Sequence, residues 1–387
     1  MARATHEVAD VIRRFGEQLL AAGPVSPARR RVLRALVACR TAQLGGHVEA
    51  CDACGYQRIA YNSCRNRHCP KCQASRQAQW LEERAEDLLP VEYFHVVFTM
   101  PEDIAAIALQ NKRVVYGILF TASAATLRTI AADPRHLGAE LGFVSVLHTW
   151  SQDLRHHPHV HCVVPGGGLA PDGRWAPCRP GFFLPVRVLG AMFRGKFLAL
   201  LRAAFDRDEL RFQGALRALG ERRAFTNCLD RAMQQQWVVY SKPPFGGPLH
   251  VLKYLARYTH RVAIGNRRIL AIDDDGVTFR WRDRAQGNRP RTMRLRGVEF
   301  LRRFLLHVLP RGFQRIRHYG LLGNRKRAVK LAASRLALGS IMPEQPAALT
   351  APSPTRASSD LCPVCKSGSL LHRTLAPVRQ VELCDSS

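Results

Sequence analysis

Acidic residues are scarce in this chain: 30 Asp and Glu stand against 58 Lys and Arg in 387 residues, a net charge of +28. That shortage points to a polyanionic partner, nucleic acid first, because Lys and Arg contacts to phosphate supply most sequence-independent affinity. Arg outnumbers Lys, which suits bidentate phosphate recognition and is equally what a GC-rich genome would give. Also missing is any run of the roughly 20 apolar residues that a membrane-spanning helix needs, so no membrane span is expected. The N-terminus, MARATHEVADVIRRFGEQLL, mixes charges of both signs and has no apolar core leading to a small-residue cleavage site, so it does not read as a secretory signal. Internal repeats are absent. With 47% hydrophobic residues, wholesale disorder is excluded, and the length suggests two or three structural units.

Cysteine is not lacking. Of the 12 cysteines, seven fall in close clusters, at Cys51 to Cys72 and at Cys362 and Cys365. Short C-x-x-C pairs in a chain without a secretory signal read as metal ligands in a reducing, cytoplasmic compartment.

Residues 7–40 carry apolar side chains at helical spacing, interrupted by GPVSP, which predicts two helices. After the cysteine cluster at 47–73 the pattern predicts a connecting helix over 74–89, a strand in EYFHVVFTMP and a helix from Ile104 to Ala131. FVSVLHTWSQ and HPHVHCVVPGGG then read as two strands, neighbours in one sheet. Residues 187–240 are mostly helical in pattern, as is LHVLKYLARYTHRVAI at 249–264. RILAIDDDGVTFRWRDR reads as a hairpin turning at Asp275-Gly276. Residues 301–330 hold nine cations and no acid and are expected to be helical. From about 340 to 360, Pro, Ala, Ser and Thr give a linker composition.

The first cluster sets Cys51-x2-Cys54 ahead of Cys69-x2-Cys72 with 14 residues between the pairs. Each pair can wrap one side of a tetrahedral Zn²⁺, and two pairs close a structural site. Cys64 and His68 are spare ligands, and His47 could help to hold a second ion. Arg65, Arg67 and Lys71 surround the cluster, so the module is expected to fold around zinc and grip nucleic acid.

In a strand, His159 and His161 lie on one face, with Val160 on the other. Two imidazoles on one face can bind one divalent ion, and the glycine triplet after them is expected to leave the chain open to a ligand. Gln152, at the end of the preceding strand, is placed to be a third ligand; Asp153, His148 and His157 compete with it. A metallo-β-lactamase-like H-x-H-x-D-H is excluded, because Val163 and Val164 occupy its last two positions. Tyr254 and Tyr258, four apart, differ by roughly 40° and about 6 Å on a helix, so both phenols face one side. Lys253, Arg257 and Arg261 around them ease phenol deprotonation and suit DNA. A deprotonated phenol can attack a phosphodiester polarised by a bound metal. Arg315 and Arg317 in the basic segment are expected along the DNA backbone. Asp273, Asp274 and Asp275 sit at the hairpin turn and read as solvated carboxylates.

HPHVHCVVPGGG, YLARYTHRVAI, YNSCRNRHCPKC, FHVVFTMP and HVLPRGFQRIRHYGLL together resemble the two-tyrosine HUH transposases of the insertion-sequence-91 type, over roughly residues 15–335. The resemblance implies an enzyme that nicks one DNA strand, keeps a 5′-phosphotyrosine link and moves its element by a rolling-circle-like route. It implies Tyr254 and Tyr258 as nucleophiles, and His159 and His161 as ligands of a catalytic Mg²⁺ or Mn²⁺. Cys51, Cys54, Cys69 and Cys72 become ligands of structural Zn²⁺. Gln152 as third catalytic ligand follows the placement of a polar ligand ahead of the histidines in related replication initiators. The implied partner is DNA, especially single-stranded element ends, on the nucleoid in a bacterial cytoplasm, with no membrane and no small-molecule substrate. The expected fold is α+β. It comprises helices and a zinc module over 1–85, an HUH nuclease over 90–335 with the H-x-H strand central in an antiparallel sheet, and a partly disordered linker and CPVC tail over 336–387. In that tail only His372 and Cys384 stand near Cys362 and Cys365 to complete a ligand set. A zinc-containing DNA-binding regulator without nuclease activity, and a plasmid replication initiator or relaxase, are the alternatives.

Overall fold

A computed structural model describes residues 4–85, 87–242, 262–283, 286–339 and 361–378. Two helices, α1 (Val8–Ala21) and α2 (Pro27–Ala38), form where the periodicity places them. Asp10 accepts the Glu7 N–H at 2.8 Å at the start of α1, and α2 starts on Pro27, where the missing N–H costs nothing. Strands β1 (Gly46–Cys51) and β2 (Gln57–Tyr61) pair antiparallel ahead of helix α3 (Pro70–Ala85).

The central layer begins with β3 (Tyr93–Thr99), α4 (Glu102–Gln110), α5 (Lys112–Ala132), β4 (Gly142–Trp150) and β5 (His156–Pro165). A small hairpin, β6 (Gly167–Leu169) and β7 (Trp175–Pro177), leads to α6 (Val186–Asp206), α7 (Arg222–Gln234) and β8 (Val239–Lys242). In the large sheet β5 is central and pairs antiparallel with β4 and β3, and β8 closes the edge beside β3. The period of two sorts its side chains. Phe94, Val96, Phe98, Leu147, Val160, Cys162 and Val164 join the core built with the four helices α4 to α7. His95, His148, His159 and His161 therefore share the opposite face. The glycine triplet serves close approach rather than an opening. A Cβ on Gly167 would meet the Trp175 ring at 2.5 Å, and one on Gly168 the Glu140 carbonyl at 2.5 Å.

Although α5 is long and apolar enough by length and composition to cross a membrane, 67% of that stretch is buried inside the fold. Its apolar residues are interspersed with polar ones, and it is the core helix against β4, β5 and α6.

A second core joins distant parts of the chain. Strands β9 (Ile269–Ile272), β10 (Gly276–Asp283) and β11 (Arg289–Arg296) form a meander, and the helix Gly297–Leu306 packs between it and α1. The approach is close enough that a Cβ on Gly297 would lie 2.2 Å from the Phe15 ring. Lys112 caps this helix, donating to the carbonyls of Leu306 (2.6 Å) and Val308 (2.8 Å). The segment 301–330 is not one helix. Pro310 and Gly312 interrupt it, and Ile316–Gly320 is strand β12, paired with β4 at the outer edge of the large sheet. A last helix, Arg327–Ala337, covers Val144 and Val146 through Leu331. The tail differs most from expectation: β13 (Leu370–Leu375) pairs antiparallel with β1, making β1 the middle strand of three.

Candidate metal sites and nucleic-acid surface

β4 and β5 set His148 directly opposite His159, two residues from His161 along β5. One ring nitrogen from each of the three comes within 4.8 Å of the others. They are nearly closed to solvent, at 2%, 5% and 5% exposure. Each ring is oriented by a neighbour. His159 Nδ1 lies 2.7 Å from the His157 carbonyl, His161 Nδ1 lies 2.7 Å from His95 Nε2, and the His148 ring stacks on Trp150 at 4.6 Å. Contacts at Nδ1 leave Nε2 of His159 and His161 as the nitrogens that could ligate a metal. Three imidazoles on one buried face form a donor set for a divalent transition ion.

Gln152 lies past the end of β4. The pairing shifts register between His148 and Trp150 and ends with Trp150 opposite His156, and a turn with Leu154 at φ 66 carries Gln152 beyond the strand, where its carbonyl accepts from Arg268. Asp153 is committed to Ser151 and Arg155. The signal for His148 is the alternation of FVSVLHTW, which puts it on the face of Val144 and Val146. Tyr254 and Tyr258, with Lys253, Arg257 and Arg261, lie outside the described residues. The described ends of that segment flank the histidines: Lys242 pairs with His95, and Val262 lines a small cavity with Trp150 and His307.

The cysteines sort differently from their spacing. Cys69 and Cys72 meet Cys39 and Cys64, with Cys39 Sγ 3.6 Å from the sulfurs of Cys69 and Cys72 and Cys64 Sγ 3.6 Å from Cys72 Sγ. Cys51 and Cys54 belong to a separate group with Cys362 and Cys365. One site made of Cys51, Cys54, Cys69 and Cys72 is thereby corrected, because β1 and β2 carry the first pair to the tail. Cys64 was legible as a spare ligand. Cys39, in no C-x-x-C pair, was not. Disulfides have sulfurs about 2.05 Å apart, whereas four thiolates around Zn²⁺ at about 2.3 Å leave edges of about 3.8 Å. The Cys39 group fits the ion. His68 stands outside it, and burial, with Arg67 and Arg315 nearby, holds its imidazole down at about 3. His47, Glu49 and His372 also converge, with Glu49 already paired to Arg58.

The basic residues divide. Lys71 is bound to Glu7 at 2.8 Å. Arg67 donates to the carbonyls of Phe313 and Pro310 at 2.5 Å each, fastening the zinc module to the loop before β12. Arg317 lies over the Phe120 ring at 4.2 Å. Burial, together with Arg67, lowers the Arg315 guanidinium to about 10. Arg65 is exposed. Acids outside the basic run pair with it: Glu299 takes Arg302 and Arg303, Asp87 takes Arg327, and Glu140 takes Lys330. A cleft of about 550 Å³ runs along β12, lined by Arg67, Arg76, Arg315, Arg317 and His318. The aspartates at the hairpin turn bind Arg14, Arg294 and Arg296 and form no carboxylate site. Phe183 stacks on Phe94 in the core, while Phe182 is exposed.

A family described as "Putative transposase" matches residues 142–329, which include the histidine strand. "Transposase zinc-binding domain" matches residues 11–100. A chain described as a putative transposase in Sinorhizobium fredii is 58% identical over 387 residues, covering 96% of each chain. The chain is a transposase of the insertion-sequence-91 type. The transposase for insertion sequence element IS801 of Pseudomonas savastanoi pv. phaseolicola is 26% identical over 298 residues, 75% of this transposase and 69% of that one. No solved structure matches. Cys362 and Cys365 of the transposase lie beyond both matched segments.

Proposed function

We propose that this transposase nicks single-stranded DNA at its element's ends by metal-assisted tyrosine attack. The observation that carries the reading is the buried group of His148, His159 and His161 at the centre of the sheet. A bound divalent ion would act as a Lewis acid on the scissile phosphate. Three imidazoles favour Mn²⁺ over Mg²⁺, which prefers oxygen ligands. The phenol of Tyr254 or Tyr258 loses its proton, its oxygen forms a bond to phosphorus, and the bond from phosphorus to the 3′ oxygen breaks. That oxygen takes up a proton and leaves as a 3′-OH. The 5′-phosphotyrosine conserves the phosphodiester's energy, so no ATP is consumed, and the second tyrosine serves the second transfer. Anchoring of the tyrosine segment's described ends beside the histidines supports this reading. The cationic cleft along β12 would take the DNA backbone, on the nucleoid of a bacterial cytoplasm. This chemistry supplies the free 3′-OH and the conserved link that rolling-circle-like transposition would use.

The test incubates purified protein with labelled single-stranded element ends and Mn²⁺, Mg²⁺ or chelator, then runs a denaturing gel. A metal-dependent protein–DNA adduct, stronger with Mn²⁺ and lost in Y254F/Y258F, is expected. DNA binding without nick or adduct would instead favour the regulator.

A further inference from the structure

The zinc-binding segment matched in this family ends well before the C-terminal CPVC, and the two lie at opposite ends of the sequence. We propose that Cys51, Cys54, Cys362 and Cys365 hold a second structural zinc ion, which clips the C-terminal segment onto the N-terminal module and closes the chain on itself.

Four observations converge on this site. Sulfur pairs Cys51–Cys365 and Cys54–Cys362 stand 3.6 Å apart, bridging more than 300 residues of sequence. This separation suits the edge of a zinc–thiolate tetrahedron, about 3.8 Å, and is too long for a disulfide. Both knuckles present backbone N–H groups to sulfur, from Ala53 to Cys51, Val364 to Cys362 and Gly368 to Cys365, at 3.3 to 3.4 Å. Such donors stabilise thiolates and orient metal ligands. The tail's turn is fitted to the first knuckle: a Cβ on Gly368 would lie 2.4 Å from Cys51 Sγ and 2.8 Å from Asp52 Oδ1. Asp52 also exchanges hydrogen bonds with Ser369, its carboxylate accepting the Ser369 N–H at 2.8 Å and its own N–H donating to the Ser369 carbonyl at 3.1 Å.

The apolar cluster around this site is small, with Cys51, Cys362 and Leu370 buried and Tyr56 and Cys365 partly so. A cluster that size does not hold a distant tail, and a metal supplies what it lacks. On binding, the thiols release their protons to solvent and no electron is transferred.

The test measures zinc per chain in the full-length protein after dialysis against metal-free buffer. C362S/C365S is expected to lose one zinc, C51S/C54S the same one, and the fourfold variant still only one. Adding C69S/C72S to C362S/C365S should remove a second. Any zinc taken up by the histidines would stay constant across this series. If C362S/C365S keeps the wild-type zinc content, the proposal fails. It fails equally if C51S/C54S and C69S/C72S abolish the same ion, or if mass analysis finds the four thiols as disulfides. Should C362S/C365S not fold, C365H keeps a competent ligand and must retain the full zinc content. Protease digestion gives a second readout: chelator should expose residues 361–378 to cleavage in wild type, and zinc should restore protection. Cleavage indifferent to zinc would overturn the clip.

Discussion

The histidine group and the cysteine groups are both assembled from close pairs, one H-x-H and three C-x-x-C, yet the pairs find their partners in opposite ways. His159 and His161 meet His148, on the adjacent strand of the same hairpin, so a strand period and a turn suffice to bring the three together. Cys69 and Cys72 are completed by Cys64 nearby and by Cys39 at the end of α2, while Cys51 and Cys54 meet cysteines at the far end of the chain. Local pairing makes a precise site on a sheet whose other face carries the large core. Distant pairing makes a fastener between parts that share little core of their own.

The largest expected effect separates the third histidine from the residue first expected in its place. H148A should reduce metal-dependent nicking by on the order of 100-fold or more, whereas Q152A should stay within about 2-fold, measured as initial rates on single-stranded substrate. Equal losses would return Gln152 to the site.

Next comes the contrast between the cysteine groups. The Cys39 group is built into the second core with Leu33, Leu36 and Phe304, so C69S/C72S should lower the global melting temperature by roughly 10 °C, a loss of several kcal/mol. C362S/C365S should shift it by less than about 3 °C, because its cluster is small. Similar shifts by calorimetry would show that the two groups form one cooperative unit.

Positioning gives a smaller effect. His95 orients His161 from β3 without standing in the ligand group. H95A should weaken metal binding about 10-fold to 100-fold by titration calorimetry, with H95Q, which keeps a hydrogen-bonding group, recovering part of it. A loss of melting temperature without a loss of affinity would make His95 a packing residue only.

The smallest effect is on stability against acid. Burial holds His156 and His307 neutral, lowering each from 6.5 to about 3. The unfolded chain therefore binds more protons between these values, so stability rises with pH there and is lost as pH falls below about 6.5. With His68 held down in the same way, the slope should approach about three protons, and H307Q should remove about one of them in denaturant titrations. An unchanged slope would assign the acid sensitivity to other groups.

Much of the architecture was readable from neighbours in sequence. The alternation in EYFHVVFTMP, FVSVLHTWSQ and HPHVHCVV gave the three central strands, and GPVSP separated two helices. Residues 316–320 were read as helix and form an edge strand, since pairing with β4 decides their state, and edge pairing leaves little trace in five residues. Cation runs misled for a related reason. Charge alone does not reveal that Arg67 and Lys71 are consumed by carbonyls and a carboxylate.

By itself, then, the sequence determined the first helices and the three central strands, the single face shared by His159 and His161, the cationic character, and the zinc-binding chemistry of the paired cysteines. Periodicity, turn residues and charge are properties of neighbouring residues and need no folded partner to be expressed. The tertiary structure alone decided that His148 meets the other two histidines, which cysteines share an ion's worth of space, and that the tail returns to β1. Ligand sets and strand partners are relations of distance in space, and a folded chain brings residues more than 300 apart to 3.6 Å.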